Sequence, residues 1–480
     1  MKKLKELYPL CDSDIEIKGI KINSKEIEVG DLFVCTMGVK ADRHDFIDEA
    51  IENGASAIVV SRDGITKNVT VIKVENTNEE LLRVCHQFYD YPDQKLTMIG
   101  VTGTDGKTSV STIVQSLIGD EVCGYIGTNG RSCKDFVGDN PNTTPDVHLL
   151  YQYLDEFIDH GCKYVSMEAS SEAFFRGRLR DIQFDISAFT NITSEHLNIH
   201  GTYENYIDSK LNLFRQTKKD GFCVLNKDDK LYEMAKEACN GQVVSYGMDD
   251  DCTLQIISFN VFPTHTLIKV KYEDKIYDID SPLLGDFNVS NLACGLLSCL
   301  CLGFKMDELI SRVRNIKIDG RLELLDTKTP YYVMVDYAHT PNGIEKLLEY
   351  VKLLPIKRSI VVIGQAGERD PYKRKEVGEI VAKNCDYAIF TYEDPRSEDP
   401  KDIIDMMIEN IKNKYNNYEI VIDRSKAIKR ALEVAQENDM VMILGKGNES
   451  YQKLKDKTIY FNDIEEVKKH LSELLKITSK

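Results

Sequence analysis

From Lys95 onward the chain alternates short β-branched and apolar runs with longer helical patterns, and it does so in two series. The first holds "TMIGV", "CGYIG", "KYVSMEA", "FDISAFTNI" and "FCVLN". The second holds "YYVMVDYA", "SIVVIG", "DYAIFTY", "YEIVID" and "MVMILGKG", separated by helical stretches such as "IEKLLEYVKLL" and "IIDMMIENIKN". Strands spaced by helices predict mainly parallel sheets with helices on their faces, since parallel neighbours need a long crossover. Between the series, residues 252–281 change to period-2 alternation, which predicts antiparallel strands. "NVSNLACGLLSCLCLGF" then reads as an apolar helix returning to the core. Ahead of Lys95, "DLFVC" and "ASAIVVS" read as strands and "HDFIDEAIENG" as a helix stopped at Gly54. The proline and polar residues of "HQFYDYPDQK" mark a boundary. At 480 residues the chain is too long for one core. The expected fold is α/β in three domains: a small N-terminal α/β domain (1–92), a central domain with a mainly parallel sheet (93–325), and a C-terminal Rossmann-like doubly wound domain (326–480).

Charge narrows the partners. A net charge of −17 argues against a nucleic-acid surface. It also means that an anionic substrate must be captured by local lysines and arginines against the global field. The 13 cysteines are scattered without a CxxC pair, as in a reducing cytosol. The start "MKKLKELYPL" lacks an apolar core, and no run reaches the ~18 apolar residues of a membrane span. A cytoplasmic protein, without membrane or nucleic-acid partners and monomeric, is the expectation.

The most specific stretch is "GVTGTDGKTSV", between a strand and a helix. Without Cβ atoms at Gly103 and Gly106, backbone N–H groups there and at Thr104 can face an anion. Lys107 offers a point charge, and the Thr108 hydroxyl can hold Mg²⁺. Glu168 closes the strand "KYVSME", where a carboxylate can bind a metal beside that loop; the plain alternative is a surface glutamate. His196 and His200 lie between a strand and a helix, a place where histidines are usually structural. Lys210 sits at the edge of the helical stripe Ile207, Leu211 and Phe214. The plain account is a snorkelling lysine. The sharper one is a half-buried amine whose neutral form burial favours, able to take up CO₂ as a carbamate.

The segments "GVTGTDGKTS", "MEASS", "FTNITSEHLNIHGTYENYIDSKLNLF", "GDFNVSN", "GRLELL", "DYAHTPNG", "AGERD", "EDPRSEDP" and "GKGNESYQ" occur in this order. In that order they resemble the Mur ligase family, in particular its UDP-N-acetylmuramoyl-tripeptide synthetase branch, from about Gly19 to Tyr451. The resemblance implies an ADP-forming acid–amino-acid ligase of peptidoglycan precursor synthesis. ATP would activate the D-Glu γ-carboxylate of UDP-MurNAc-L-Ala-D-Glu as an acyl phosphate, and an amino acid would displace the phosphate. It makes the three domains UDP-sugar-binding, ATP-binding and amino-acid-binding.

The family's roles carry over residue by residue. Gly103, Thr104, Asp105, Gly106, Lys107, Thr108 and Ser109 would cradle the ATP phosphates. Thr108 and Glu168 would hold one Mg²⁺, and His196 with carbamylated Lys210 a second. Asn288 resembles the adenine-contacting residue (with a helix N-cap as the plain alternative), Arg321 the hinge arginine reaching the γ-phosphate, and Asp336 the ribose-binding acid, with His339 in the same pocket. Ser24, Thr143, Thr144, Ser171 and Arg178 would contact the muramoyl peptide, although "NSK" at 23–25 departs from the family's "DSR".

In the C-terminal loops, Arg369, Asp394, Arg396, Gly445 and Glu449 match the positions that grip the incoming amino acid. "EDPR" resembles the "DNPR" of ligases that add meso-diaminopimelate, whose distal carboxylate Arg396 would clasp. Lysine would leave that arginine unpaired. Asp394 in place of Asn implies repulsion of a carboxylate and attraction of an ammonium, and Glu449 would meet the distal ammonium. Asn448, Glu172 and Asp105 are further departures. The alternatives are the same ligation with L-lysine or another amine, and a non-catalytic nucleotide-binding scaffold.

Overall fold

The computed structural model describes residues 1–38, 41–192 and 197–478. The chain divides into two compact units, Met1–Val244 and Ser245–Lys480.

The first unit contains two sheets of consequence. The smaller is four-stranded and parallel, in the spatial order Ile20–Lys21, Leu32–Val34, Ala57–Val60, Thr70–Lys73. Its inner strands are buried at every residue, as strands covered on both faces must be. Phe33 and Ile58 point into one cluster with Ile27 and Ile47. Val34 and Val59 point the opposite way, into a larger cluster with Leu81 and Val84.

The larger sheet has parallel strands in the order Cys123–Gly127, Tyr164–Glu168, Thr97–Thr102, Phe184–Phe189, Thr217–Asn226. Beyond Cys123–Gly127 it carries two antiparallel strands, Gly130–Cys133 and Phe136–Gly138. Because the central strands are parallel, the residues that leave Thr102, Glu168 and Phe189 emerge at one sheet edge, where open α/β sheets bind ligands. Gly100 has a packing role in the central strand. A Cβ there would lie 2.6 Å from Leu213 Cδ1 and 2.8 Å from the Phe184 ring. Glycine therefore lets the helix Tyr203–Arg215, which carries Lys210, lie close against the sheet.

The second unit begins with three antiparallel strands, Leu254–Val261, Thr266–Tyr272 and Lys275–Ser281. The apolar helix Asp286–Cys301 follows, buried along most of its length. A second sheet then takes the order Glu323–Leu324, Tyr332–Asp336, Met440–Leu444, Ser359–Ile363, Tyr387–Phe390, Tyr418–Ile420. Only its first strand runs antiparallel. Alternate side chains face opposite ways: Met334, Val361 and Met442 enter one core with the helices Pro341–Lys352 and Tyr372–Asn384. Val335, Val362 and Ile443 enter another with Arg424–Val434 and Val467. That is the doubly wound arrangement expected from the second series. The hairpin Tyr451–Leu454/Lys457–Tyr460 was not foreseen. Among the described residues no helix is long and apolar enough to cross a membrane.

Candidate functional site

In the first unit the strand Thr97–Thr102 runs into the glycine loop and then the helix Lys107–Ile118. Gly103 (φ +151°) and Gly106 (φ +82°) hold backbone angles that L side chains rarely adopt. A Cβ at Gly103 would come within 1.8 Å of Thr190 Oγ1. The loop is pinned from the neighbouring strand end. Thr104 N–H donates to the Asn191 carbonyl (2.8 Å), Asp105 N–H to Asn191 Oδ1 (3.1 Å), and the Thr190 hydroxyl to the Asp105 carbonyl (2.6 Å). Thr108 and Ser109 are buried at the helix start, while Asp105 is exposed.

Two ammonium groups converge on this loop. Lys107 Nζ donates to the carbonyls of Gly103 (3.0 Å) and Thr104 (2.8 Å). Lys210 Nζ donates to the same Gly103 carbonyl (2.5 Å) and lies 4.7 Å from the centre of the Tyr206 ring. At 3 % exposure Lys210 does not snorkel; the stripe's edge turns toward the loop rather than to water. The Tyr206 hydroxyl bonds that of Thr104 (2.9 Å), so one helix fixes both the lysine and the loop it touches. His196 lies outside the described residues.

Glu168 is 1 % exposed. Its Oε1 accepts from the Tyr125 hydroxyl (2.9 Å) and Thr128 N–H (2.8 Å), and its Oε2 from the Thr128 hydroxyl (3.2 Å). Its backbone carbonyl accepts from the Thr144 hydroxyl (2.7 Å), and Thr143 Oγ1 lies 3.2 Å from Thr128 Oγ1. Arg178 bridges Asp146 (2.6 Å) and the Thr144 carbonyl (3.1 Å). The Ser171 hydroxyl meets His200 Nε2 at 3.1 Å. Glu168, Thr143, Thr144 and Arg178 are thus linked through one short set of contacts, whereas Ser171 is paired with His200. Ser24 is held elsewhere, with its hydroxyl donating to Glu49 (2.5 Å).

In the second unit, Asn288 is not a helix N-cap; Gly285 is. The Asn288 amide donates to the Leu284 carbonyl (2.7 Å), and its oxygen accepts from Asn291 (2.9 Å). Asp336 accepts from the backbone N–H groups of Leu322 and Ala338, both at 2.6 Å. Burial pushes its carboxyl above the usual range against the pull of Arg321 and those donors. The Arg321 guanidinium lies 4.6 Å from the centre of the Tyr337 ring, and His339 packs edge-on to that ring. Arg321, Asp336 and His339 therefore share one corner. Gly320 and Gly447 meet back to back beside it: a Cβ at Gly320 would lie 2.3 Å from Asn448 N.

The loops after the strands Tyr387–Phe390 and Met440–Leu444, where amino-acid contacts are expected, form a charge cluster. Lys446, fully buried, donates to Asp394 (3.0 Å) and Glu449 (2.8 Å). Burial pulls its ammonium down, but Glu449 and Asp394 win and hold it above its ordinary range. Asp394 therefore arrives with its charge matched, and the repulsion expected of it is countered from within. Glu449 likewise already has a cationic partner. Burial pushes Glu393 up to about 8, with Arg424 and Lys446 opposing. A Cβ at Gly445 (φ +112°) would come within 2.9 Å of Glu393 Oε2. Arg396 adopts φ +53°, with its N–H on the Lys453 carbonyl (3.0 Å); Arg369 is exposed. Sequence reasoning missed Tyr206, Asn191, Tyr125, Thr128 and Lys446. The last had a signal: a lysine between two glycines directly after an apolar strand.

Three family models match the chain: Mur ligase family, catalytic domain (16–98), Mur ligase middle domain (101–299), and Mur ligase, glutamate ligase domain (320–447). The UDP-N-acetylmuramoyl-L-alanyl-D-glutamate–2,6-diaminopimelate ligase of Caldanaerobacter subterraneus subsp. tengcongensis is 35% identical, over 96% of each chain. The UDP-N-acetylmuramoyl-L-alanyl-D-glutamate–L-lysine ligase of Staphylococcus haemolyticus is 34% identical over 92% of this chain and 90% of its own. A solved structure of a UDP-N-acetylmuramoyl-L-alanyl-D-glutamate–2,6-diaminopimelate ligase superposes with a TM-score of 0.69 at 27% identity, covering 98% of this chain and 99% of that one.

Proposed function

The chain belongs to the Mur ligase family, and from that premise we propose that it joins meso-diaminopimelate to the D-Glu γ-carboxylate of UDP-MurNAc-L-Ala-D-Glu in cytoplasmic peptidoglycan precursor synthesis. It is an ATP-dependent, ADP-forming amide ligase with the family's three-domain α/β architecture. The observation that carries the site assignment is the meeting of Lys107 and Lys210 on the Gly103 carbonyl, inside a loop no side chain can fill.

A carboxylate and an amine form a salt in water, because the carboxylate has no leaving group. A γ-carboxylate oxygen attacks the γ-phosphorus of ATP, and ADP departs. The amine then attacks the acyl carbon, the phosphate leaves with the bonding pair, and the nitrogen loses a proton. Catalysis is largely positioning and charge neutralisation. The loop from Gly103 to Ser109 receives the phosphates through backbone N–H groups, and Lys107 turns from the loop carbonyls to the β- and γ-phosphates. Arg321 reaches the γ-phosphate, Asp336 and His339 take the ribose, and Asn288 contacts the adenine. Ser24, Thr143, Thr144, Ser171 and Arg178 hold the muramoyl peptide. Arg369, Asp394, Arg396, Gly445 and Glu449 hold the amino acid.

Glu168, fixed by Tyr125 and Thr128, and the buried Thr108 hydroxyl are hard oxygen donors of the kind Mg²⁺ takes. They would hold one ion, and His196 with Lys210 as its carbamate a second. For that, the neutral Lys210 amine adds to the carbon of CO₂ and loses one proton. The ions would supply positive charge between two anions that must approach each other.

L-Lysine is the second reading, favoured by the similarity to a lysine ligase. ADP release with the muramoyl dipeptide nucleotide and each amino acid in turn decides. Turnover with meso-diaminopimelate exceeding that with L-lysine is expected, and the reverse order replaces the first reading with the second.

A further inference from the structure

The strand Tyr451–Leu454 is locked onto the loop that carries Arg396. Lys453 N–H donates to Asp394 Oδ1 (3.2 Å), and the Lys453 carbonyl accepts from Arg396 N–H (3.0 Å). That bond holds Arg396 in a left-handed backbone conformation, one that side chains avoid unless surroundings impose it. Between loop and hairpin lies a groove of about 460 Å³. Arg396, Lys453, Lys455 and Lys457 line it against two acids, Glu368 and Asp456. A cationic groove in a chain of net charge −17 is built for an anion that the global field would repel.

Of the neighbouring acids, Asp394 and Glu368 are engaged. Asp394, two residues from Arg396, is bound by Lys446 and by Lys453 N–H. Glu368 accepts from the Ser397 N–H (3.3 Å) and hydroxyl (2.6 Å). Arg396 Nε, buried, has no hydrogen-bond partner among the described residues. A guanidinium with a buried unpartnered N–H at the head of a lysine-lined groove awaits a carboxylate.

We propose that this groove receives the far end of the incoming amino acid and that Lys453 is a second, specificity-determining cation beside Arg396. The substrate class is then an amino acid whose side chain ends in a carboxylate, and L-lysine is refused because it offers the groove only another cation. This rests on the ligase reading above and extends it to a residue outside the matched motifs.

The test uses the full chain, wild type and Lys453→Ala and Lys453→Arg variants, with meso-diaminopimelate, 2-aminopimelate and L-lysine. The Lys453 side chain is exposed, and its backbone bonds survive truncation. In the ADP-release assay Lys453→Ala is expected to raise KM for both dicarboxylates roughly tenfold, as loss of one charge-assisted contact does. KM for ATP and kcat hold, and Lys453→Arg restores the wild-type KM. Calorimetric titration of meso-diaminopimelate into the same proteins should weaken in parallel. An affinity in Lys453→Ala within about twofold of wild type, or wild-type binding of L-lysine as tight as of meso-diaminopimelate, overturns the proposal. Binding that depends on Lys453 without ADP release from any amino acid supports the groove and removes the ligase reading instead.

Discussion

The glycine loop of the first unit sets its two lysines on backbone oxygen, whereas the loops around Asp394 and Glu449 in the second unit set their buried lysine on carboxylates of other side chains. Lys107 and Lys210 share the Gly103 carbonyl; Lys446 bridges Asp394 and Glu449. A neutral carbonyl is a weaker hydrogen-bond partner for an ammonium than a carboxylate is. A buried carboxylate is a strong partner, so the second cluster is shaped before any ligand arrives. On the proposed reading, the difference separates nucleotide handling from the choice of amino acid.

The largest effect that would break this division is at Lys210. Lys210→Ala is expected to lower turnover by roughly 10³-fold with every amino acid alike, and acetate should restore part of it. Selective loss with one amino acid, or full activity, measured by ADP release, would erase the distinction. Next comes Lys446→Met, which leaves Asp394 buried without its cation and should cost about 3–5 kcal/mol of stability. Urea unfolding reads the loss, and the same variant should bind amino acids poorly while keeping its affinity for ATP.

A smaller effect sharpens the comparison through pH. Burial raises Glu393 from its ordinary 4.5 to about 8, so between those values the folded chain holds a proton that the unfolded chain has released. Stability from this group is complete below about pH 4.5 and is lost as pH rises toward 8. Melting temperatures from pH 5 to 8.5 should therefore fall less steeply in Glu393→Gln than in wild type; equal slopes would remove Glu393 as the source. The smallest effect belongs to the exposed Asp105. Asp105→Asn removes a like charge from the loop proposed to take the ATP phosphates and should lower KM for ATP about twofold, with no change for the amino acid.

Much of this architecture was legible because buried parallel strands are apolar at nearly every position, as in "TMIGV" and "MVMILG". The hairpin at 451–460 was not. Its residues "YQKLKDKTIY" are mostly polar and exposed, and a two-stranded edge needs little apolar periodicity. The glycine loop was readable because its parts are contiguous. The contact that unites Lys210 with it spans 107 residues and ends on a main-chain oxygen, which no side-chain pattern reports. The Asp394–Lys446 pair spans 52 residues, and without it Asp394 read as a repulsive charge.

Gly320 and Gly447 touch with no room for even a methyl group between them. The peptide that aims Arg321 and the turn that presents Glu449 are for that reason one mechanical object: neither can shift without carrying the other. A side chain at either glycine would force the two segments apart, so change in this corner must come from the residues around the pair.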